Sequence, residues 1–409
     1  MNLLQPFRAL LADPKHVEEV SCVNYDVVSR AEARALAGKS KNSFLRVVRS
    51  DIEFSDSDEP AKEELARRSR KNFDELIERN IFSQDSKECF YVYRQRWRGH
   101  TQTGLVACTP VSAYEDGSLR RHEKTREDKE NEVTEHLIGT GAHTSPVFVI
   151  YRNHPALEPS LDEVTNQPPL YDFSCEEEIQ HQFWRVEDGN EIAKKAAQIE
   201  MLYIADGHHR AASAMRTAKQ MGKSKDSDID LEEAKRMMVV AFPEKETNIL
   251  PYHRVIKNIP TENLLQQLRE ITKVEKSEQK DPDEKGVCCL YVNGQWYQVL
   301  LPQASTSDDP AAALDVSRLY DHILKPLLGI GDPRTDKNLD FVGGIRGLGE
   351  LKRLVDSGEA TAAFAMYPTS PAELLDISDK NLIMAPKSTW FEPKIRNGLF
   401  IHLFRAIRT

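Results

Sequence analysis

An α+β fold is the class this sequence predicts, and three observations carry the prediction. Short apolar runs such as MLYIA (Met201–Ala205), SPVFVIY (Ser145–Tyr151) and MMVVAFP (Met237–Pro243) have strand length and strand composition. Between them lie segments with helical spacing, among them AASAMRTAKQMG (Ala211–Gly222) with apolar Ala211, Ala214, Met215, Ala218 and Met221. Adjacent strand-like runs joined by short turns, Cys89–Gly99 with Gln102–Val111 and VCCLYV with QWYQVLL around Asn293–Gly294, point to antiparallel pairs.

The chain is organised around Met201–Met215. Leu202–Ala205 reads as a buried strand, Asp206–Arg210 as a polar turn, and the rest as a helix ending at Gly222. A strand, a tight turn containing one glycine and a helix N-terminus form an anion site, because the first-turn amides lack partners within the helix and the dipole end is positive. Gly207 permits close backbone approach. Arg210 adds a forked cation suited to phosphate oxygens. His208 and His209 add donors or metal ligands. Taken singly, Asp206 reads as an N-cap and the histidines as a solvated helix start. Five consecutive polar residues between two apolar runs favour a site.

In chain order, VSCVNYDVV (Val20–Val28) reads as β-rich, and Ser29 with Glu32 forms a capping box for the next helix. FLRVVR (Phe44–Arg49) reads as a strand and SDSDEP (Ser55–Pro60) as an exposed acidic loop. A helix follows from Ala61 to about Arg79. His100 is expected in the turn between the paired strands. Phe90, Tyr91, Tyr93 and Trp97 at strand spacing read as sheet packing. A helix runs from about Arg126 to Ile138 and ends at Gly139. Residues 152–200 read as a turn-rich insertion, in which His181 and Trp184 pack. LPYHRVI places His253 and Arg254 at a strand end, where Arg254 clamps a phosphate or a carboxylate or forms a structural ion pair. GIGDP and FVGGIRGLGEL fit neither common phosphate-loop pattern. Pro386, Lys387, Ser388, Thr389 and Lys394 make a basic, hydroxyl-bearing loop.

A length of 409 residues allows two domains or one elaborated one. The net charge of −10 argues against affinity built on nucleic-acid phosphates. No run reaches the roughly 18 apolar residues of a membrane span, and MNLLQPFRALLADPK lacks a signal-peptide pattern. Six cysteines without paired CxxC spacing fit a reducing cytoplasm.

IADGHHRAASA resembles the DGHHR signature of the domain of unknown function 1015 family. QPFRAL, NYDVVSRAEARAL, NSFLRVVR, RHEKT, SPVFVIY, LPYHRVI and MAPKSTWFEPKIRNGLFI resemble further blocks of that family in the same order. The DGHHR loop is similar to the phosphate-binding loop of ParB/sulfiredoxin-like proteins, and free serine kinases of that fold carry a comparable loop. The resemblance implies a mixed-sheet ParB/sulfiredoxin-like core over residues 85–260. An N-terminal α/β segment (1–84) packs on it, and a C-terminal α+β portion (261–409) returns its basic loop to the cleft.

It implies a nucleotide-dependent kinase of free L-serine, with Glu123 as general base and Gly207, His208, His209 and Arg210 on the phosphates. His209 and Asp206 are counted with the catalytic groups, and Asp206 is the expected Mg²⁺ ligand. Arg254, Lys387 and Ser388 are expected on the substrate. The donor is ATP, ADP or pyrophosphate. The expected partners are therefore small molecules, with no nucleic acid and no membrane, and a homo-oligomer is compatible. Two other classes stay open: a metal-dependent hydrolase using His122, Asp206, His208 and His209, and a ParB-like nucleotide-binding module.

Overall fold

The computed structural model describes residues 2–25, 28–175, 178–278, 281–304 and 309–407. The chain divides into two units, Met1–Thr247 with Pro393–Thr409, and Asn248–Glu392. Both mix helices and sheets, as the α+β reading expects. The division differs from the expected boundaries near 84 and 260. The C-terminal strand Phe400–Leu403 pairs with Ala9–Ala12, which ties the last residues to the first unit.

The first unit is built on an eight-stranded sheet. Its strands in chain order are β1 (Phe90–Trp97), β2 (His100–Pro110), β3 (Leu119–Arg120), β4 (Val147–Tyr151), β5 (Tyr171–Ser174), β6 (Gln180–Val186), β7 (Leu202–Asp206) and β8 (Arg236–Pro243). In space they run β3-β7-β4-β8-β2-β1-β6-β5. The β3/β7 and β4/β8 pairs are parallel and the rest antiparallel, so the sheet is mixed. Every residue of β4 is buried, and so is all of β8 after Arg236, which explains their uninterrupted apolar sequences. Leu105, Val149, Ile204 and Val239 belong to the core under this sheet.

Two helices matter for the site: α1 (Glu127–Thr140) and α2 (His208–Met221). Arg216 on α2 reaches Glu130 at 2.6 Å, and the Ser213 hydroxyl donates to the Glu130 carbonyl at 2.9 Å. At their far ends, Leu137 and Met221 join Phe404 in a small apolar cluster. A second sheet, ordered Phe82–Gln84, Ala9–Ala12, Phe400–Leu403 and Ala142–His143, completes this unit.

Several local expectations change. FLRVVR is helical, Leu45–Val48, followed by a 3₁₀ turn at Ser50–Glu53. A short buried apolar run has no periodicity that separates helix from strand. Within VSCVNYDVV, Val17–Val20 ends a helical turn and Cys22 makes an isolated bridge to Asn397, so the segment is not a strand; Asp26 and Val27 lie outside the described residues. His100 opens β2 opposite Trp97 rather than occupying the turn, because Arg98 and Gly99 supply the two positive-φ positions at 49° and 81°. α1 ends on Gly141, with φ of 69°, not on Gly139. The insertion at 152–200 is structured: β5 and β6 extend the main sheet beyond β1, with His181 buried and stacked on Tyr93.

The second unit carries an antiparallel sheet ordered Val274–Lys276, Gln295–Leu300, Val287–Val292, Ala362–Met366, Tyr252–Ile256 and Leu339–Gly343. The LPYHRVI strand belongs here rather than to the DGHHR sheet. Ser370 and Glu373 form a capping box on the helix Pro371–Asp379. Among the described residues no helix is long and apolar enough to cross a membrane.

The first unit encloses neutral histidines, which sets a pH dependence. Burial pushes the His136 imidazole, whose Nε2 lies 2.9 Å from the Thr144 hydroxyl, down to about 4. Burial, with the His402 ring beside it, pushes His143 down to about 3. The unfolded chain therefore binds protons that the folded chain refuses, so stability is complete above about pH 6.5 and declines as pH falls through 6 towards 4. The urea midpoint is expected to drop between pH 7.5 and pH 5, and to drop less in His136→Gln. A midpoint independent of pH over that range would contradict the assignment.

Candidate functional site

The site grows from the end of β7. The pairing of β7 with β4 slips between Ile204 and Asp206, a bulge that redirects the last residue of the strand. Gly207 follows at φ 96°, in the left-handed region, and serves as the N-cap of α2. No side chain caps this helix, so the reading of Asp206 as a simple N-cap does not hold.

The Asp206 carboxylate instead holds two cations. Its Oδ1 accepts from Lys394 Nζ at 3.1 Å, and its Oδ2 accepts from Arg210 at 2.6 Å. Asn24 Nδ2 also approaches Oδ2, at 3.4 Å. Burial alone would raise this carboxyl, but the charges of Lys394 and Arg210 and the Lys394 hydrogen bond outweigh it and hold the group below the usual carboxylate range. Arg210, only 6 % exposed, also donates from its guanidinium to the Pro146 carbonyl just before β4. Arg210 thus clamps the strand–helix junction from inside, while Lys394 and Asp206 are the more open members of the three, at 17 % and 26 % side-chain exposure.

Lys394 is held by a buried polar device. Gln95 and Gln102 face each other across β1 and β2, both fully buried. Gln102 donates to the Gln95 side-chain oxygen at 2.8 Å and to the Pro393 carbonyl at 3.1 Å, and Gln95 donates to the Lys394 carbonyl at 2.9 Å. Further on, Arg396 donates to Ser21, and Asn397 to the Val23 carbonyl. These contacts bring 21–24 and 393–397 to the DGHHR junction.

The second edge of the site is the Arg121–Arg126 loop before α1. His122 and His208 face one another with their Nε2 atoms 3.4 Å apart and their rings nearly perpendicular. Burial lowers the His122 imidazole to about 4, against the Ile204 backbone hydrogen bond and the Asp206 charge. Burial and the His122 ring push His208 well down against the Asp206 charge. Glu123, half-buried, contributes a carboxylate to the same cluster, its ligating oxygen within 4.8 Å of both rings. His209 accepts the Arg126 backbone N–H on Nε2 at 3.0 Å, which leaves Nδ1 as the protonated nitrogen of the neutral ring.

The predicted residues therefore separate. Glu123, Asp206, Gly207, His208, His209 and Arg210 gather at one junction with His122. Arg254, Lys387 and Ser388 belong to the second unit. There Arg254 is buried, donating to the Tyr252 and Pro386 carbonyls and lying 5.1 Å from the Phe341 ring centroid. Lys387 sits 5.5 Å from the Tyr252 ring centroid, and Ser388 donates to the Ala385 carbonyl. A Mg²⁺ ion on Asp206 does not fit, because both carboxylate oxygens already carry cations. Nor do His122, Asp206, His208 and His209 form one ligand set, since Asp206 faces Lys394 and Arg210 while His209 holds the Arg126 amide. Sequence reasoning singled out the loop containing Lys394 without committing to that lysine, and it missed Asn24, Gln95 and Gln102. Asn24 stands inside a recognised N-terminal block, whereas the two glutamines carried no signal beyond being polar within strands.

Gly207→Ala tests the junction. A Cβ there would lie 2.8 Å from the Arg210 guanidinium, and the φ of 96° is unfavourable for any side chain. The substitution is expected to destabilise the first unit by about 1–3 kcal/mol, measured by urea unfolding. A wild-type midpoint would contradict this account of the junction.

No curated protein matches the chain by sequence. Among solved structures it is similar to a conserved hypothetical protein from Pyrococcus furiosus, at 14 % identity and a TM-score of 0.35, covering 71 % of this chain and 93 % of that one. A free serine kinase in complex with AMP is similar at 11 % identity and a TM-score of 0.36, covering 70 % and 86 %. SbnI with a C-terminal truncation, from Staphylococcus aureus, is similar at 12 % identity and a TM-score of 0.33, covering 71 % and 85 %. The family model described as a protein of unknown function, DUF1015, matches residues 4–317, and the chain belongs to that family.

Proposed function

We propose that this protein is a nucleotide-dependent kinase that phosphorylates the hydroxyl of free L-serine, with ATP, ADP or pyrophosphate as donor. The observation that carries the reading is the meeting, at the N-terminus of α2, of a glycine-turned helix start, the Lys394–Asp206–Arg210 charge group and the Glu123 carboxylate. The positive end of α2 and the Lys394 ammonium attract the transferring phosphoryl group, and the Asp206–Arg210 contact fixes the turn from below. Phosphoryl transfer depends mainly on such positioning and charge stabilisation.

Glu123 takes the proton from the serine hydroxyl as its oxygen bonds to phosphorus. The bond from phosphorus to the bridging oxygen breaks, and the shortened donor leaves with that electron pair. His209, fixed through Nε2 by the Arg126 amide, offers its Nδ1–H as a further donor. Arg210 is a positioning residue in this scheme, a change from its expected role as a phosphate contact. No step is assigned to a metal on Asp206.

The test is incubation of the purified full chain with L-serine, Mg²⁺ and each donor separately, with O-phosphoserine detected by mass. Glu123→Gln is expected to lower kcat by about 10²–10⁴-fold with a smaller change in KM. Lys394→Ala, which removes a contact of roughly 1.5–3 kcal/mol, should lower kcat/KM by about 10–150-fold. Folded wild-type protein that yields no O-phosphoserine with any donor overturns the proposal, and a Glu123→Gln variant with wild-type kcat removes the assigned base.

A further inference from the structure

The kinase reading gives Glu123 a role but leaves the two imidazoles beside it, His122 and His208, without one. We infer that these three side chains form a binding site for a divalent transition-metal ion of the Zn²⁺ type. Two imidazole nitrogens, each roughly 2.0–2.1 Å from a tetrahedral ion, lie about 3.4 Å apart. The Nε2 atoms of His122 and His208 are 3.4 Å apart, a separation long for a hydrogen bond between them. The Glu123 carboxylate completes a triad whose ligand atoms all lie within 4.8 Å of one another.

Two further features suit a metal. Both rings are neutral, the form that ligates. They come from two elements, the loop before α1 and the first turn of α2, so an ion bridges pieces of chain 86 residues apart. Two imidazoles and one carboxylate favour Zn²⁺ and its neighbours over Mg²⁺, which takes oxygen ligands. Three protein ligands leave a fourth position open.

The consequence for activity rests on the proposed kinase reading. An ion on Glu123 withdraws the carboxylate that accepts the serine proton, so the metal-loaded protein is the inactive form and removal of the ion restores transfer. The binding site itself does not depend on that reading.

The test uses the metal-free full chain titrated with Zn²⁺ in competition with a coloured zinc indicator, together with its thermal melting curve. The expected result is one ion per chain, not displaced by a thousand-fold excess of Mg²⁺. Affinity should fall at least about 100-fold in His122→Gln and His208→Gln and about 10–100-fold in Glu123→Gln, a range typical when support for a bound metal is removed. Glu123 is half-buried and glutamine keeps its shape, so this variant remains informative if a histidine variant melts below the assay temperature. Folded protein that does not compete with the indicator, or a Glu123→Gln variant that binds Zn²⁺ as the wild type does, overturns the site. In a parallel arm, O-phosphoserine formation is followed with and without one equivalent of Zn²⁺. Transfer unaffected by a bound ion overturns the inhibitory role alone, whereas an ion that binds to a protein showing no transfer overturns the kinase reading and leaves the site standing.

Discussion

The Asp206 carboxylate sits between two cations that reach it by different routes, Arg210 one helical turn onward and Lys394 from near the other end of the chain. Arg210 is local: α2 starts at once after Gly207, so the residue four positions beyond Asp206 is returned to it. That return requires the left-handed glycine, because a Cβ at 207 would stand where the guanidinium lies. Lys394 is wholly non-local, and its position depends on two glutamines buried in the middle of the main sheet. A carboxylate in this position would be costly if unpaired, and either cation alone would leave one of its oxygens without a charged partner. The junction therefore specifies where the C-terminal segment must run.

This constraint gives the buried glutamines a reason. A polar side chain inside a sheet is tolerated when its donors find partners: the Gln102 amide donates to the Gln95 side-chain oxygen and the Pro393 carbonyl, and the Gln95 amide donates to the Lys394 carbonyl, while the Gln102 oxygen is buried without a hydrogen-bond partner. They act as a template for a segment that has little regular structure of its own. The pairing of Ala9–Ala12 with Phe400–Leu403 reinforces the same closure a few residues further on. Sheet interior, chain ends and the helix N-terminus form one connected polar and backbone framework.

The helix pair α1 and α2 gives the site its second wall. Arg216 and Ser213 hold α2 to the first turn of α1, and His209 accepts the amide at the entry to α1. The loop carrying His122 and Glu123 is thereby fixed against the first turn of α2. A base, a charge group and a pair of neutral imidazoles come to share one small region because two helix N-termini are placed side by side, each presenting its positive end.

Local sequence determined much of this protein. The β7–turn–α2 unit, the pairing of the strands that became β1 and β2, the hairpin at Asn293–Gly294 and the cap at Ser29 were legible because glycine, capping and periodic apolar residues act within a few positions. FLRVVR was misread because six residues are too few for an apolar period to separate helix from strand. The strand carrying Arg254 was assigned to the wrong sheet because strand composition does not identify the pairing partner. Only tertiary structure decided that Arg210 faces inward to Asp206 and Pro146, that Lys394 is the lysine of its loop on that carboxylate, and that His122 and His208 meet at 3.4 Å. Each of these rests on contacts between segments far apart in the chain or on the direction a side chain takes once its neighbours are packed. A sequence pattern carries the type of residue available to a site, and the packed chain sets which of them face one another.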